Sequence, residues 1–266
     1  MGQESDFFFA LLFFLRCCLC RTHVMASRTI IVGDVHGCMA ELQELLAACE
    51  FQQGVDELVF VGDLIGKGPQ QREVVRFVQA LAGVRVVMGN WDHIVVRWLD
   101  AQARPPGSEA VHINADILRL VEQLEPSELE WFRTLPLYLR LPHRNVIVVH
   151  AGIIPNLPLE QQTARDLMHM RGVIATASAH SSEVVYEATE EFGKGQPWTE
   201  LWAGPEIIVY GHDARTGLVD RPFAIGLDTG CCYGGKLTAV ILPERRLVSV
   251  PAHAVHSAPT AKIPCS

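Results

Sequence analysis

The feature that most constrains this chain is a series of short apolar runs that end beside glycine and a polar residue. Between residues 28 and 90 three such runs, Arg28–Val32, Glu57–Val61 and Val84–Met88, alternate with two segments of helical periodicity. Strand, helix, strand, helix, strand predicts right-handed crossovers and a parallel sheet. The carboxyl ends of the three strands then lie at one edge of the sheet, where α/β proteins place their functional sites.

Two later apolar runs end in the same way. Val146–Val149 is followed by His150, and Ile207–Tyr210 is followed by Gly211 and His212. These two runs predict further strands whose ends join the same edge. Five strand ends with polar residues therefore indicate one shared crevice.

The remaining segments give weaker signals. Residues 158–203 show a mixed pattern that favours helices, and 223–250 show apolar runs and Gly-rich turns that predict antiparallel strands in a second sheet. Asp228, at the end of one of these runs, is interpreted as a turn residue. Since no long Pro/Ser/Gly linker divides the chain after Met25, we expect a single domain over 28–251 and a tail over 252–266.

The polar residues at the five strand ends have the chemistry of metal ligands. One Gly-Asp after a strand is more often a turn than a ligand, but five such ends on one edge bring carboxylate, amide and imidazole groups together. Two carboxylates that lie near each other repel unless cations lie between them. Mixed oxygen and imidazole ligands suit Mn, Fe, Zn or Co better than Mg or Ca alone. We predict two divalent ions bridged by Asp63, one held by Asp34 and His36 and the other by Asn90, His150 and His212.

Composition excludes several classes of function. Apolar residues make up 49% of the chain and charged residues 20%, which excludes a mostly disordered protein. The net charge of −8 provides no broad basic field, so we expect no stable binding to nucleic acid. A phosphate-bearing substrate would need local cations, either metal ions or a few placed basic side chains.

The N-terminal residues 1–27 are predicted to be an extension outside the domain. Their apolar run, Phe7–Leu15, is far shorter than the ~20 residues of a membrane helix, and no basic residue precedes it as in a secretory signal. Three interpretations remain open: an anchor over residues 7–20 palmitoylated at a cysteine, a poor signal peptide, or an extension upstream of a start at Met25. The scattered cysteines form no disulfide framework, so we expect a reducing, cytoplasmic location, with membrane association only through this segment.

Ordered sequence blocks carry a family resemblance. They are Gly33-Asp34-Val35-His36-Gly37, Gly62–Pro69, Gly89-Asn90, Val149–Gly152 and Tyr210-Gly211-His212. In this order they resemble the phosphoprotein-phosphatase superfamily, and residues 67–69 and 227–238 resemble its diadenosine-tetraphosphatase (ApaH-like) branch. The resemblance spans about 28–250. It implies a four-layer α/β/β/α calcineurin-like metallophosphatase sandwich with the same six metal ligands, and suggests that Lys67 and Arg171 hold substrate phosphate.

One position departs from the family pattern. In the family the asparagine is followed by a histidine, which protonates the leaving group, and then by an acid; here the run is Asn90-Trp91-Asp92-His93. Trp91 cannot act as an acid, and is interpreted either as core packing or as a stacking face for a substrate base. The candidate catalytic residues are Asp92, which could instead orient a ligand, and His93. A helix that begins here would place His93 about 200° around from Trp91, which argues against a simple replacement.

The missing acid bears on the substrate. General acid catalysis is worth about 10²–10⁴-fold, and it matters least when the leaving group is a weakly basic phosphate. We therefore predict a dimetal phosphohydrolase in which a metal-bridging hydroxide attacks phosphorus. The expected substrates are phosphoanhydrides: dinucleoside polyphosphates, polyphosphate or capped RNA ends. Two alternatives are a Ser/Thr protein phosphatase on the same scaffold and an inactive protein that captures phosphorylated ligands.

Overall fold

A computed structural model describes residues 28–105, 113–177 and 184–258 of the chain. The strands of these residues, in chain order, are β1 (Thr29–Val32), β2 (Glu57–Phe60), β3 (Arg85–Val86), β4 (Tyr138–Leu141), β5 (Val146–Val149), β6 (Gly172–Ala177), β7 (Val184–Thr189), β8 (Ile207–Tyr210), β9 (Val219–Arg221), β10 (Ala224–Gly226), β11 (Lys236–Leu242) and β12 (Arg246–Pro251). The helices are α1 (Met39–Ala48), α2 (Gln71–Ala80), α3 (Asn90–Gln102), α4 (Ala115–Val121), α5 (Pro126–Trp131), α6 (Ala164–His169) and α7 (Trp198–Leu201). The predicted N-terminal extension, with its apolar run, lies outside the described residues.

The first sheet has the order β12-β11-β1-β2-β3. β1, β2 and β3 run parallel, as the alternation of strands and helices predicts, and β11 lies antiparallel to β1 with Val240 opposite Ile31. The prediction that residues 223–250 form a second sheet is therefore wrong for β11 and β12. The reason is physical: residues 237–242 of β11 are buried, and a strand that is apolar on both sides belongs inside a sheet between two covered faces.

The second sheet has the order β4-β5-β8-β10-β9, in which β5, β8 and β10 run parallel. Its inner face packs on the inner face of the first sheet. Ile31 and Val59 meet Val148 and Val209 in this interior. On the outer faces, α1 to α5 cover the first sheet, and α6 and α7 cover the second. The predicted α/β/β/α sandwich is confirmed.

Residues 158–203 differ from the helical expectation. They hold the short helices α6 and α7, and between them the antiparallel hairpin β6–β7. The sequences of the two strands, GVIATA and VVYEAT, are rich in β-branched residues, and such residues favour extended structure.

No helix among the described residues has the length and apolar character needed to cross a membrane.

The described part of the C-terminal tail is fixed to the domain. The backbone N–H of Ala252 donates to the carbonyl of Gly235, and the N–H of His256 donates to the carbonyl of Cys232 (2.9 and 3.0 Å). Val255 also forms a β-bridge with Tyr233. The tail thus lies against the glycine-rich loop that follows β10.

Candidate metal centre and active site

The structure brings all six predicted metal ligands to the carboxyl edge of the two sheets. Asp34 and His36 follow β1, Asp63 follows β2, and Asn90 opens α3; His150 and His212 follow β5 and β8. The Asn90 side-chain oxygen joins the groups of both sheets, at 2.9 Å from His150 Nε2 and 3.0 Å from His212 Nδ1. Ligand atoms of Asp34, Asp63 and His150 all lie within 4.8 Å of one another.

Asp63 lies between the two groups of ligands. Its Oδ2 is 3.5 Å from His36 Nε2, and its Oδ1 is 3.5 Å from His150 Nε2. Each carboxylate oxygen thus faces a different histidine, which is the arrangement that a ligand shared by two ions requires. The backbone N–H of Trp91 donates to Oδ1 at 2.9 Å and fixes the rotamer.

Backbone carbonyls set the tautomer of each histidine. His36 Nδ1 lies 2.8 Å from the carbonyl of Ile65, His150 Nδ1 lies 2.9 Å from that of Val61, and His212 Nε2 lies 3.2 Å from that of His169. Since a carbonyl only accepts, each of these ring nitrogens donates its proton. The other nitrogen of each ring therefore offers a lone pair to the centre. A backbone carbonyl behind the ring is the usual support of a metal-binding histidine.

Buried carboxylates make the centre electrostatically unfavourable without cations. Burial, with the charges of Asp228 and Asp63, raises the pKa of Asp34 well above its usual value, and burial raises the pKa of Asp63 to about 7. Divalent cations would replace the lost hydration of these groups and hold them ionised. The oxygen and imidazole donors present fit such ions.

Asp228 was missed as a site residue by the sequence analysis. It is buried and accepts the backbone N–H of Gly230 at 3.1 Å, which agrees with the predicted turn. Its carboxylate also acts electrostatically on Asp34, Asp63 and His150. The signal was present in the sequence, because Asp228 also follows an apolar run that becomes a strand of the second sheet.

Several ligands are held by strained backbone. His36, Asp63 and His212 have φ values of 47°, 51° and 70°, in the left-handed region that non-glycine residues rarely adopt. Such strain clusters at functional sites, where the surrounding structure maintains it. Gly211 allows the closest approach, since a Cβ there would overlap Asp34 Oδ1.

Asp92 supports the loop that carries Asp63. Its buried carboxylate accepts the backbone N–H groups of Asp63 (2.7 Å), Leu64 (3.1 Å) and Gly89 (3.1 Å). Burial raises the pKa of Asp92 to about 8, and these three N–H groups oppose the rise. Asp92 therefore accepts hydrogen bonds from the backbone at the ends of both β2 and β3, through Asp63 and Gly89.

His93 lies apart from this network. α3 begins at Asn90, so His93 lies about 200° around the helix axis from Trp91. Burial and the nearby Arg97 and His169 lower the pKa of His93. Its neighbours are thus on the α6 side of the site, and its catalytic role stays a prediction.

Lys67 lies between two aromatic rings at the centre. Its Nζ is 5.0 Å from the centroid of Trp91 and 4.9 Å from that of Tyr233, and it lies 2.9 Å from the free Nε2 of His36. Although burial lowers it, the neighbouring Cys232, Asp63 and Tyr233 raise the pKa of Lys67. Trp91 thus serves first as a packing partner of a half-buried cation. Tyr233 was not among the residues predicted for the site.

Arg171 lies near His212 and is paired with the neighbouring Asp213. Its guanidinium donates to Asp213 Oδ1 at 2.6 Å and remains partly exposed. Its positive charge acts on His150 and His212. The two predicted phosphate-binding cations therefore lie beside different candidate ligands, Lys67 at His36 and Arg171 near His212.

A family model, the calcineurin-like phosphoesterase, matches residues 27–216. The chain belongs to the calcineurin-like phosphoesterase family. It is a metal-dependent hydrolase by family, acting on phosphate esters or anhydrides. The match includes all six predicted ligands together with Lys67 and Arg171.

Individual relatives agree with this membership. The symmetrical bis(5′-nucleosyl)-tetraphosphatase of Coxiella burnetii is 30% identical, over 84% of this chain and 91% of that protein. The enzyme of the same name from Citrobacter koseri is 31% identical, over 85% and 95%. A crystal structure whose protein carries the provisional name diadenosine tetraphosphatase matches with a TM-score of 0.74 and 38% identity, over 85% and 94%. A serine/threonine phosphatase from Saccharomyces cerevisiae, at TM-score 0.52 and 15% identity, shows the shared fold alone.

Proposed function

We propose that the chain hydrolyses phosphoanhydrides of the dinucleoside polyphosphate type at this centre. Divalent ions held there would supply an activated water nucleophile and neutralise charge on the phosphoryl oxygens. We assign Asp63 as the bridging ligand, with Asp34 and His36 on one side and Asn90, His150 and His212 on the other. The names of the relatives support a dinucleoside polyphosphate before polyphosphate or capped RNA ends.

The observation that carries this proposal is the presence of two cations, Lys67 beside His36 and Arg171 near His212, that each line a cavity. Lys67 lines a cavity of about 320 Å³ together with two arginines, Arg72 and Arg119, and two acidic residues, Glu73 and Asp116. Arg171 lines a second cavity of about 200 Å³, whose wall includes Phe192. A substrate with a phosphate chain and a group at each end fits such an arrangement better than a phosphoserine side chain does.

Different residues of the chain would bind different parts of such a substrate. Arg171 presents a planar guanidinium that binds phosphate oxygens with two hydrogen bonds, and Asp213 holds it in place. Lys67 places an ammonium group beside His36, where charge develops on the leaving phosphate. Trp91 supplies no proton, and a nucleotide phosphate leaves without one because its second pKa is about 6.

The test compares an anhydride with an ester. We would measure product release by the full chain with Mn²⁺ from diadenosine tetraphosphate and from a phosphoserine peptide, with Asp63→Asn as the inactive control. We expect kcat/KM for the anhydride to exceed that for the peptide at least about 10²-fold, the lower limit of what general acid catalysis contributes. Arg171→Ala should raise KM for the anhydride.

Two outcomes contradict the proposal. Equal turnover of the peptide would favour the Ser/Thr protein phosphatase. Tight binding of diadenosine tetraphosphate without turnover would favour the inactive capture protein, which Trp91 in place of the acid supports. In that case Trp91→His is the decisive variant, because restored turnover would trace the defect to the missing proton donor.

A further inference from the structure

A second cluster of metal-binding side chains lies outside the candidate active site. Cys38, Glu41 and Cys231 are 1%, 2% and 2% exposed. One ligand atom from each, two sulfurs and a carboxylate oxygen, lie within 4.8 Å of one another. A carboxylate with so little exposure requires partners that compensate for its lost hydration.

The partners that the structure gives Glu41 come from the C-terminal tail. The backbone N–H of His253 donates to Glu41 Oε1 at 2.9 Å, and His256 Nε2 lies 3.9 Å from the same oxygen. His256 is held beside Glu41 because its own N–H donates to the carbonyl of Cys232. A fourth ligand of suitable chemistry, an imidazole, therefore faces the carboxylate.

We propose that Cys38, Cys231, Glu41 and His256 bind one structural Zn²⁺ ion. Two thiolates, an imidazole and a carboxylate are the donors that zinc takes in tetrahedral sites. Ligand atoms of such a site are separated by about 3.5 Å, since Zn–S is about 2.3 Å and Zn–N about 2.0 Å. The atoms need to approach by about 1 Å. Binding releases the two thiol protons to solvent.

The site would connect three parts of the molecule. Cys38 caps α1 two residues after His36, Cys231 lies in the loop after β10, and His256 lies in the tail. The same loop carries Tyr233, whose ring contacts Lys67. A metal at Cys231 would therefore fix the aromatic wall behind the candidate phosphate-binding lysine without joining the catalytic centre.

The alternative for two buried thiols this close is a disulfide between Cys38 and Cys231. Both are free cysteines in the structure. The carboxylate of Glu41 decides between the two chemistries, because it has no part in a disulfide and is a ligand for a cation. A disulfide found by mass spectrometry in the protein purified without reductant would overturn the zinc assignment.

Cobalt substitution separates this site from the catalytic centre. Co²⁺ bound by thiolate gives a sulfur-to-metal charge-transfer absorption in the near ultraviolet, whereas the predicted catalytic ligands contain no sulfur. We would titrate Co²⁺ into the full chain in which the four cysteines at 17, 18, 20 and 265 are serine. The expected result is a charge-transfer band whose final amplitude corresponds to one thiolate-bound Co²⁺ per chain and which disappears when Zn²⁺ is added.

Single variants in the same background assign the ligands. Cys38→Ser and Cys231→Ser should abolish the band, and Glu41→Gln should weaken Co²⁺ binding at least about 10-fold. Cys49→Ser is the matched control, since Cys49 is also buried but lies outside the cluster; it should leave the band unchanged. Asp63→Asn should also leave it unchanged while it removes metal from the catalytic centre.

The wild-type titration keeps the proposal falsifiable if a variant does not fold. Absence of a charge-transfer band at saturating Co²⁺, in protein with free thiols, overturns the proposal. A band lost equally in Cys49→Ser, or lost in Asp63→Asn, overturns the assignment to this cluster. Zinc determined by mass spectrometry at one atom per chain in Asp63→Asn would support it independently.

Discussion

The carboxylates at the two ends of the first sheet have opposite electrostatic surroundings. At the amino end, Asp56 pairs with Arg28 at 2.7 Å, and Glu57 pairs with Arg85. Although burial raises them, the pKa values of both carboxyls are lowered overall, that of Asp56 by Arg28 and that of Glu57 by the hydroxyl of Thr29 and by Arg85. At the carboxyl end Asp34 and Asp63 lie close together, and their pKa values are raised.

The difference separates carboxylates that stabilise the fold from carboxylates that are available to bind cations. Ion pairs at the amino end are complete within the chain, so they contribute to stability alone. The carboxyl end collects negative charge and imidazole lone pairs that the chain itself does not neutralise, which costs stability until cations bind. Removing a charge should therefore have opposite consequences at the two ends.

The largest expected effect is that of Asp63→Asn. The variant removes the shared carboxylate, and we expect kcat/KM for diadenosine tetraphosphate to fall more than about 10³-fold, or over about 4 kcal/mol. Because one buried charge is lost, the free energy of unfolding without metal should stay equal or rise. Activity assays and thermal unfolding of the metal-free protein check both. A metal-free variant less stable than the wild type would break the comparison.

Metal addition should stabilise the wild type next most strongly. At a free Mn²⁺ concentration of about 100 Kd, linkage gives about 2.7 kcal/mol of added stability. For a chain of this size that corresponds to a Tm increase of about 5–10 °C. Differential scanning fluorimetry measures it, with Mg²⁺ in parallel. Asp63→Asn is the control and should show less than half of the shift; an equal shift would place the binding elsewhere.

Asp92→Asn tests a smaller effect at the same end. The carboxylate accepts three backbone N–H groups, so the amide would replace one acceptor by a donor and displace Asp63. We expect kcat to fall about 10–100-fold, with Mn²⁺ affinity weakened by a similar factor. His93→Gln, on the next residue, is the matched variant and should change kcat less than about 3-fold. A larger loss in His93→Gln than in Asp92→Asn would support His93 as the acid instead.

The smallest effect lies at the amino end, in Glu57→Gln. The folded-state pKa of Glu57 is below the unfolded value of about 4.3, so its stabilisation is present above that pH and is lost as pH falls through the folded pKa. We expect the variant to lose about 1 kcal/mol of unfolding free energy at pH 7 and almost nothing at pH 3. Urea unfolding at both pH values checks this. Exposed Glu122→Gln is the control, and an equal loss there would indicate a general charge effect.

The sequence predicted the ligands because each one follows a local signal. An apolar run, a glycine and a polar residue identify Asp34 or Asp63 without knowledge of distant contacts. Asp228 also follows a strand, but the residues around it fit a turn as well. Its approach to Asp34 and Asp63 depends on how the two sheets pack, which no local pattern shows. Tyr233 was missed because its contact with Lys67 is long-range.

The errors in the fold have the same origin. β11 was assigned to the wrong sheet because strand pairing across the whole chain leaves no local pattern. The hairpin β6–β7 was missed although its strands have six residues each and are rich in β-branched residues. The short helices α6 and α7 on either side of it give the whole segment a mixed pattern. Hydrophobic periodicity identifies single helices and strands. Which strands pair depends instead on which strand edges are free in the folded sheet.

The position of β11 has a consequence for how the protein is made. β1 is among the first strands to leave the ribosome, and its neighbour β11 is among the last, with Ile31 opposite Val240. Until β11 arrives, one edge of β1 and the inner face around it stay open. Chains that end before residue 236 should therefore remain substrates for chaperones and proteases, and the candidate metal centre should form only after β11 has been synthesised.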